Sequence, residues 1–425
     1  MIKKLVASVS FLLFERVVRV VCLLITNVIL ARLLGVEAFG LYMFVFSVIS
    51  ILLVVSCLGF DRIAVKEIAR YEQNAASIVS IALISRFLVS CFILVSLGVV
   101  AVLTSSQSAV LILIGASALL FRGFEVVRYW FEAKMFFRPV VMLEVANLLS
   151  FTVVRVIGFF LGWSVETFIV LLVVEAFFLG LGYAIFWLRS GLVGGGGISG
   201  CLPLLKDAAV LSIASLSVMA YMKIDQVMLG VMQGKEIVGI YSVAVTLSEG
   251  WNFISLAFVS AVAPILIRMY KEGEQDYYRF FGVLCSVLVV MSLVIVVLTI
   301  LFGEWVIILL FGEQFIPAYS VLVVYIWSLV FSFLGAANGR HLVVLDKIKL
   351  IFYLSLILGG GNVLLNIFMI PRYGFLGAAY ATLLAQLIAF FANGIFLCAR
   401  KGLTSQLYSF TLLPLWNWRC LRRGE

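Results

Sequence analysis

Charge is scarce in this chain: only 12% of its 425 residues are Asp, Glu, Lys or Arg, about half the share of a soluble domain. Histidine is nearly absent, with His341 alone, in a stretch that reads as an inside loop where a solvated side chain is expected. No glycine-rich phosphate cradle ends in Lys-Ser/Thr, since Gly194 to Gly197 lack both the lysine and a flanking strand. No GxSxG elbow, no HExxH pair and no long loop able to house a catalytic domain is present. Nothing here drives an ATPase or marks an enzyme, so no cofactor is expected. The seven cysteines (Cys22, Cys57, Cys91, Cys201, Cys285, Cys398, Cys420) are odd in number and scattered, giving neither a disulfide framework nor metal-ligand spacing. No small-residue cleavage site precedes Arg32, so the N-terminal run behind Lys3 and Lys4 reads as a retained helix.

What the chain has in abundance is apolar surface. Hydrophobic residues make up 64%, against roughly 45–50% in soluble domains. A folded core of this length could not hide so much, and lipid must solvate most of it. Runs long enough to cross about 30 Å of hydrocarbon fall near 8–30, 40–60, 77–103, 108–127, 139–161, 165–188, 208–232, 238–264, 280–302, 317–338, 350–370 and 375–398. The fold class is therefore all-α integral membrane, with about twelve spans in two six-helix lobes. A further run, Leu407 to Trp418, is broken by Pro414 and carries Trp416 and Trp418, which suits an interfacial segment.

Basic residues set the orientation. With Lys3 and Lys4 inside, the inside segments hold 22 Lys and Arg, while the outside ones hold only Arg32, Lys235 and Arg372. Both termini are expected on the cytoplasmic side. The net charge of +9 is dispersed over these short loops with no basic stripe, which argues against a nucleic-acid partner.

The run Gly191 to Gly200 holds four consecutive glycines and reads as a flexible linker. It divides the chain into a first lobe (1–190), a linker (191–205), a second lobe (206–400) and a basic tail (401–425). The lobes repeat one another. Gly35, Glu37, Gly40, Tyr42 and Tyr71 match Gly234, Glu236, Gly239, Tyr241 and Tyr270 at a constant offset of 199. Six intervening spans is an even number, so the repeats run parallel and imply a pseudo-two-fold axis along the membrane normal.

Charges inside apolar spans are the candidate functional residues, because each costs at least ~2.5–3.5 kcal/mol at a helix centre. Glu15 and Arg19 are spaced to pair along one helix, whereas Glu144 and Arg155 are too far apart to do so. Arg16, Arg19, Arg86, Arg155 and Lys223 form the candidate set for an anionic ligand, phosphate above all. Glu175, Asp225 and Glu249 are the candidates for carrying a coupling H+ or Na+. The competing reading is that such residues are satisfied interhelical pairs or topology anchors. It is favoured for Arg86 and Glu144, which lie close to inside ends.

Three segments carry a family resemblance: Asn27 to Tyr42 (NVILARLLGVEAFGLY) continuing to Gly59-Phe-Asp-Arg62, then Lys223 to Gly230 with Val238 to Tyr241, then Asn366 to Tyr380. In order and spacing the chain resembles the polysaccharide transporters, the O-antigen (Wzx-type) flippases, of the MOP superfamily that also holds MATE exporters and the lipid II flippase. The resemblance implies two six-helix lobes around a central cavity, working by alternating access in a bacterial inner membrane. It implies a lipid-pyrophosphate-linked oligosaccharide as cargo, with membrane lipids, a glycan polymerase and a chain-length regulator as partners. The family usually has arginine where this chain has Lys223. A cation-coupled drug exporter and a membrane glycan polymerase are the alternatives. The polymerase needs a large outside loop with catalytic charges, and the largest expected, Gly303 to Pro317, offers only Glu304 and Glu313.

Overall fold

A computed structural model describes residues 2–192 and 202–396. The glycine run from 193 and the tail from 397 lie outside the described residues. Everything described is helix and short connection. The order is α1 (Ile2–Cys57), α2 (Phe60–Arg70), α3 (Ala75–Thr104), α4 (Gln107–Ala116), α5 (Ala118–Arg122), α6 (Val127–Ala133), α7 (Arg138–Phe160) and α8 (Val165–Arg189). It continues with α9 (Leu202–Met232), α10 (Lys235–Glu249), α11 (Asn252–Glu272), α12 (Glu274–Leu310), α13 (Ala318–Tyr325), α14 (Ser328–Val344), α15 (Ile348–Tyr373) and α16 (Phe375–Phe396).

Among the described residues, ten helices or helix pairs are long and apolar enough to span a bilayer. The first of these is two spans, because Gly35 breaks α1 with φ 73°, a left-handed backbone that a Cβ would penalise. The 31-residue α9 lies outside that set and supplies another. Twelve spans result. Gly234, with φ 102°, turns the chain between α9 and α10 in the same way. The two glycines matched in the sequence repeat thus perform the same turn. The repeat extends to packing: Tyr42 and Tyr241 are both buried, and Tyr71 and Tyr270 are both exposed.

The described residues cluster into two compact units, meeting in sequence at Gly239 and Ile240. The first is cored by Phe60, Ala64, Ile68, Val79, Val127, Phe131 and Tyr183. In it α9 packs along α1, where fully buried Ser47 and Gln226 hydrogen-bond to each other. The second unit is cored by Tyr277, Phe281, Leu288, Val296, Leu329 and Phe333.

Two expectations are corrected. His341 is not a solvated loop residue: it sits within α14, fully buried, with its Nδ1 2.6 Å from the Tyr277 hydroxyl and its ring stacked 4.6 Å from Phe281. The apolar pattern ends near residue 338, but Leu342 and Val343 carry the helix on past it to Val344. Gly303 to Pro317 is a loop only in its second half, 311–317. The helix α12 runs on to Leu310, because Trp305 to Leu310 is uninterrupted apolar sequence. His341→Leu should cost about 1–3 kcal/mol by stranding the buried Tyr277 hydroxyl. The double variant His341→Leu/Tyr277→Phe should be less destabilised than the single, as thermal unfolding in detergent would show.

Candidate functional site

Along the first unit the charged residues fall into three groups. At the end that the basic residues assign to the inside, four helices converge on one carboxylate. Glu144 of α7, only 8% exposed, accepts two hydrogen bonds from Arg128 Nη1 at 2.6 and 2.7 Å and one from Arg19 Nη2 at 3.2 Å. The Tyr183 hydroxyl of α8 donates to the same carboxylate. Arg19 also donates to Glu15 one turn earlier, at 2.8 Å, which is the pair its spacing allows. Arg128 Nη2 lies 3.8 Å from Glu15, and its Nε donates to Glu132 at 2.6 Å. Two guanidiniums are thus fixed by three carboxylates. Arg19 nonetheless keeps 46% of its side chain exposed, and Arg16, three residues earlier on the same helical arm, is exposed as well.

Nearer mid-depth, buried Arg155 of α7 forms an ion pair with Glu175 of α8. The Asn147 amide donates to the Glu175 main-chain carbonyl at 3.4 Å, tying the same two helices. A residue expected to bind substrate and one expected to carry an ion are therefore each other's partner. The third group is Arg86 of α3, 1% exposed, with Nη2 3.9 Å from Glu125, which also lies 3.5 Å from Arg122. For Arg86 and Glu144 this is the interhelical pairing expected of them.

The remaining candidates lie on α9 and α10. On α9, Lys223 is half-buried, whereas Asp225 is 1% exposed and accepts a hydrogen bond from the Gln226 main-chain N–H at 2.9 Å. In the second unit Glu249 ends α10, and the Tyr325 hydroxyl donates to it at 3.3 Å.

Several polar residues here were not singled out from sequence. The i,i+4 spacing of Arg128 and Glu132 is a signal for their pairing. Tyr183 carries no such signal, lying among the apolar residues of α8. In the second unit, Asn362, Asn366 and Thr382 are all fully buried between α15 and α16. Asn366 Nδ2 donates to Asn362 at 3.0 Å, and Asn362 Nδ2 to Thr382 at 3.2 Å. Among the described residues, Asn366 Oδ1 receives no hydrogen bond.

The number of long apolar helices defines a polytopic integral membrane protein. The family described as "Polysaccharide biosynthesis protein" matches residues 5–270, well over half the chain, and the protein belongs to that family. The capsular polysaccharide biosynthesis protein CapF of Staphylococcus aureus is 26% identical over 171 residues. That stretch is 39% of this chain and 42% of CapF, under half the length of either. Among solved structures, the lipid II flippase MurJ in an inward closed conformation aligns with TM-score 0.70 at 13% identity, covering 96% of this chain and 91% of that one. An inward-facing multidrug resistance MATE family transporter of the MOP superfamily gives 0.68 at 16% identity, covering 91% and 95%. At these identities the shared property is the fold. The resemblance read from three short segments is thereby confirmed at the level of family and architecture.

Proposed function

We propose that this protein is a flippase, moving a lipid-pyrophosphate-linked oligosaccharide from the cytoplasmic to the periplasmic leaflet of a bacterial inner membrane by alternating access. The cargo is an O-antigen or other surface-glycan repeat unit, and both termini are cytoplasmic. Membership in the polysaccharide biosynthesis family carries the reading. The side chains of α1 support it: Arg16 and Arg19 are one turn apart and both exposed, and Arg19 is held in place by Glu15 and Glu144. A pre-oriented guanidinium suits a diphosphate, which it can bind in a forked geometry. It lies at the end where the cargo would enter. The protein moves its cargo without making or breaking covalent bonds in it. Coupling to an H+ or Na+ gradient supplies direction, with Asp225 and Glu249 as the carboxylates that would carry the ion. A glycan polymerase and a chain-length regulator act on the cargo after it crosses.

Deleting the gene in its source organism tests the reading. Surface glycan should fall and complete, unpolymerised lipid-linked units should accumulate on the cytoplasmic leaflet. Normal arrival of those units at the periplasmic leaflet would contradict it. The MATE-like fold supports a second reading as a drug exporter, which predicts unchanged glycan and raised sensitivity to amphipathic cations in the same strain.

A further inference from the structure

Apart from Trp416 and Trp418, which lie outside the described residues, the tryptophans fall into two sets. Trp130, Trp163, Trp187 and Trp305 lie at or just beyond the ends of apolar runs, the depth at which indoles usually sit in membranes. Trp251 and Trp327 do not. They lie at the middle of the runs 238–264 and 317–338, yet they are 40% and 43% exposed. Neither indole N–H meets an acceptor among the described residues. Against lipid tails such a donor would stay unpaired, which the hydrocarbon penalises.

Both indoles mark a break in a span. The α10 helix stops at Glu249 and α11 begins at Asn252, leaving Gly250 and Trp251 between them. Likewise α13 stops at Tyr325 and α14 begins at Ser328, leaving Ile326 and Trp327. At each break the tryptophan backbone bonds three residues away in both directions. The Trp251 N–H donates to the Ser248 carbonyl at 3.3 Å, and the Trp251 carbonyl accepts from the Ile254 N–H at 3.1 Å. The Trp327 N–H donates to the Val324 carbonyl at 3.4 Å, and the Trp327 carbonyl accepts from the Val330 N–H at 3.3 Å. Three-residue turns inside a helix often mark a functional position. At membrane depth, backbone that leaves the helix is tolerated only inside protein or beside water.

The two breaks lie side by side within the second unit. Just before them the Tyr325 hydroxyl donates to Glu249 at 3.3 Å, and just after them the Ser332 hydroxyl donates to Asn252 Oδ1 at 2.8 Å. Asn252 and Ser332 are themselves partly exposed. Each indole is thereby held at mid-depth beside hydroxyl and amide groups. An indole face packs on the C–H face of a sugar ring, while amides and hydroxyls bond the O–H groups at its edge.

We infer that Trp251 and Trp327 face water at mid-depth and form a stacking subsite for a sugar ring, with Asn252 and Ser332 as its hydrogen-bonding partners. The choice of a sugar rests on the proposed function, whereas the wet surface rests on the breaks and the exposure.

The first test uses the full-length protein in liposomes. The fluorescence that Trp251→Phe/Trp327→Phe removes from the wild-type signal belongs to these two indoles. That component should be quenched by iodide present on both sides of the membrane, and untouched by lipids brominated at mid-chain. Quenching by the brominated lipids would overturn the inference, because the indoles would then face the bilayer. Soluble oligosaccharide released from the source organism's surface glycan should cut the iodide quenching several-fold. Protection by tetraphenylphosphonium and not by oligosaccharide would overturn the sugar assignment together with the proposed cargo. Protection by neither, where deleting the gene still strands lipid-linked units on the cytoplasmic leaflet, would overturn this inference alone.

A second test reads the ring itself in cells, at matched protein abundance. Trp327→Leu should lower incorporation of labelled sugar into surface glycan several-fold, whereas Trp327→Tyr, which keeps a flat ring, should retain most of it. Equal incorporation by the leucine and tyrosine variants would overturn the stacking role.

Discussion

Replacing Glu144 by leucine is expected to be the most damaging single substitution in the first unit, costing about 3–5 kcal/mol of stability. The carboxylate is nearly buried and holds Arg128 by two oxygens, Arg19 by one, and the Tyr183 hydroxyl. Leucine would take away the acceptor of Arg128 Nη1 and of the fully buried Tyr183 phenol, leaving Arg128 with Glu132 and Glu15 alone. Tyr183→Phe removes one donor and should cost only about 1 kcal/mol. Arg19→Met should also be mild, because nearly half of that side chain is exposed and solvent weakens its pairs. Thermal unfolding of the purified proteins in one detergent would give the ranking. Equal losses for Glu144→Leu and Arg19→Met would mean that the carboxylate is not the anchor.

The second large effect concerns Arg155 and Glu175. Arg155→Leu alone should lose about 3–5 kcal/mol, since it leaves Glu175 charged between α7 and α8. The double variant Arg155→Leu/Glu175→Leu should regain most of that, because a buried ion pair can often be exchanged for packed apolar side chains at little net cost. Surface-glycan output then separates two roles that the sequence assigned to different residues. Output restored along with stability makes the pair a strut between helices. Output still lost in a stable double variant makes it part of the transport cycle.

Much of the fold was legible because lipid imposes a simple rule: spans must be long, apolar and internally hydrogen-bonded. Twelve runs read from hydropathy correspond to twelve helical spans, and a five-residue repeat identified Gly35 and Gly234 before their backbone angles were known. Helix ends were less legible. His341 and Gly303 to Leu310 lie where apolar sequence fades or contains one charge, and hydropathy cannot tell a continuing helix from a loop there.

Of the candidate site, the sequence showed which charges are unusual but not what they meet. Glu15 and Arg19 could be paired because both lie on one helix. Arg155 with Glu175, and Glu144 with Arg128 and Tyr183, join different helices, and nothing in the order of residues encodes those encounters. Of the candidate cations, Arg19, Arg86 and Arg155 are each matched by a carboxylate in the fold, leaving Arg16 and part of Arg19 exposed. Asn362 and Asn366 escaped notice because amides carry no charge, although their i,i+4 spacing in an apolar helix places both on one face.

The central claim is best tested with purified protein in liposomes carrying a fluorescent lipid-pyrophosphate-linked oligosaccharide in both leaflets. An impermeant glycosidase added outside reports the accessible fraction, with a Na+ or H+ gradient imposed in either direction. A flippase should carry the inner-leaflet pool to the outside, so that cleavage passes the plateau of protein-free liposomes. Cleavage stopping at that same plateau under every gradient, with correctly folded protein present, would contradict lipid-linked oligosaccharide transport.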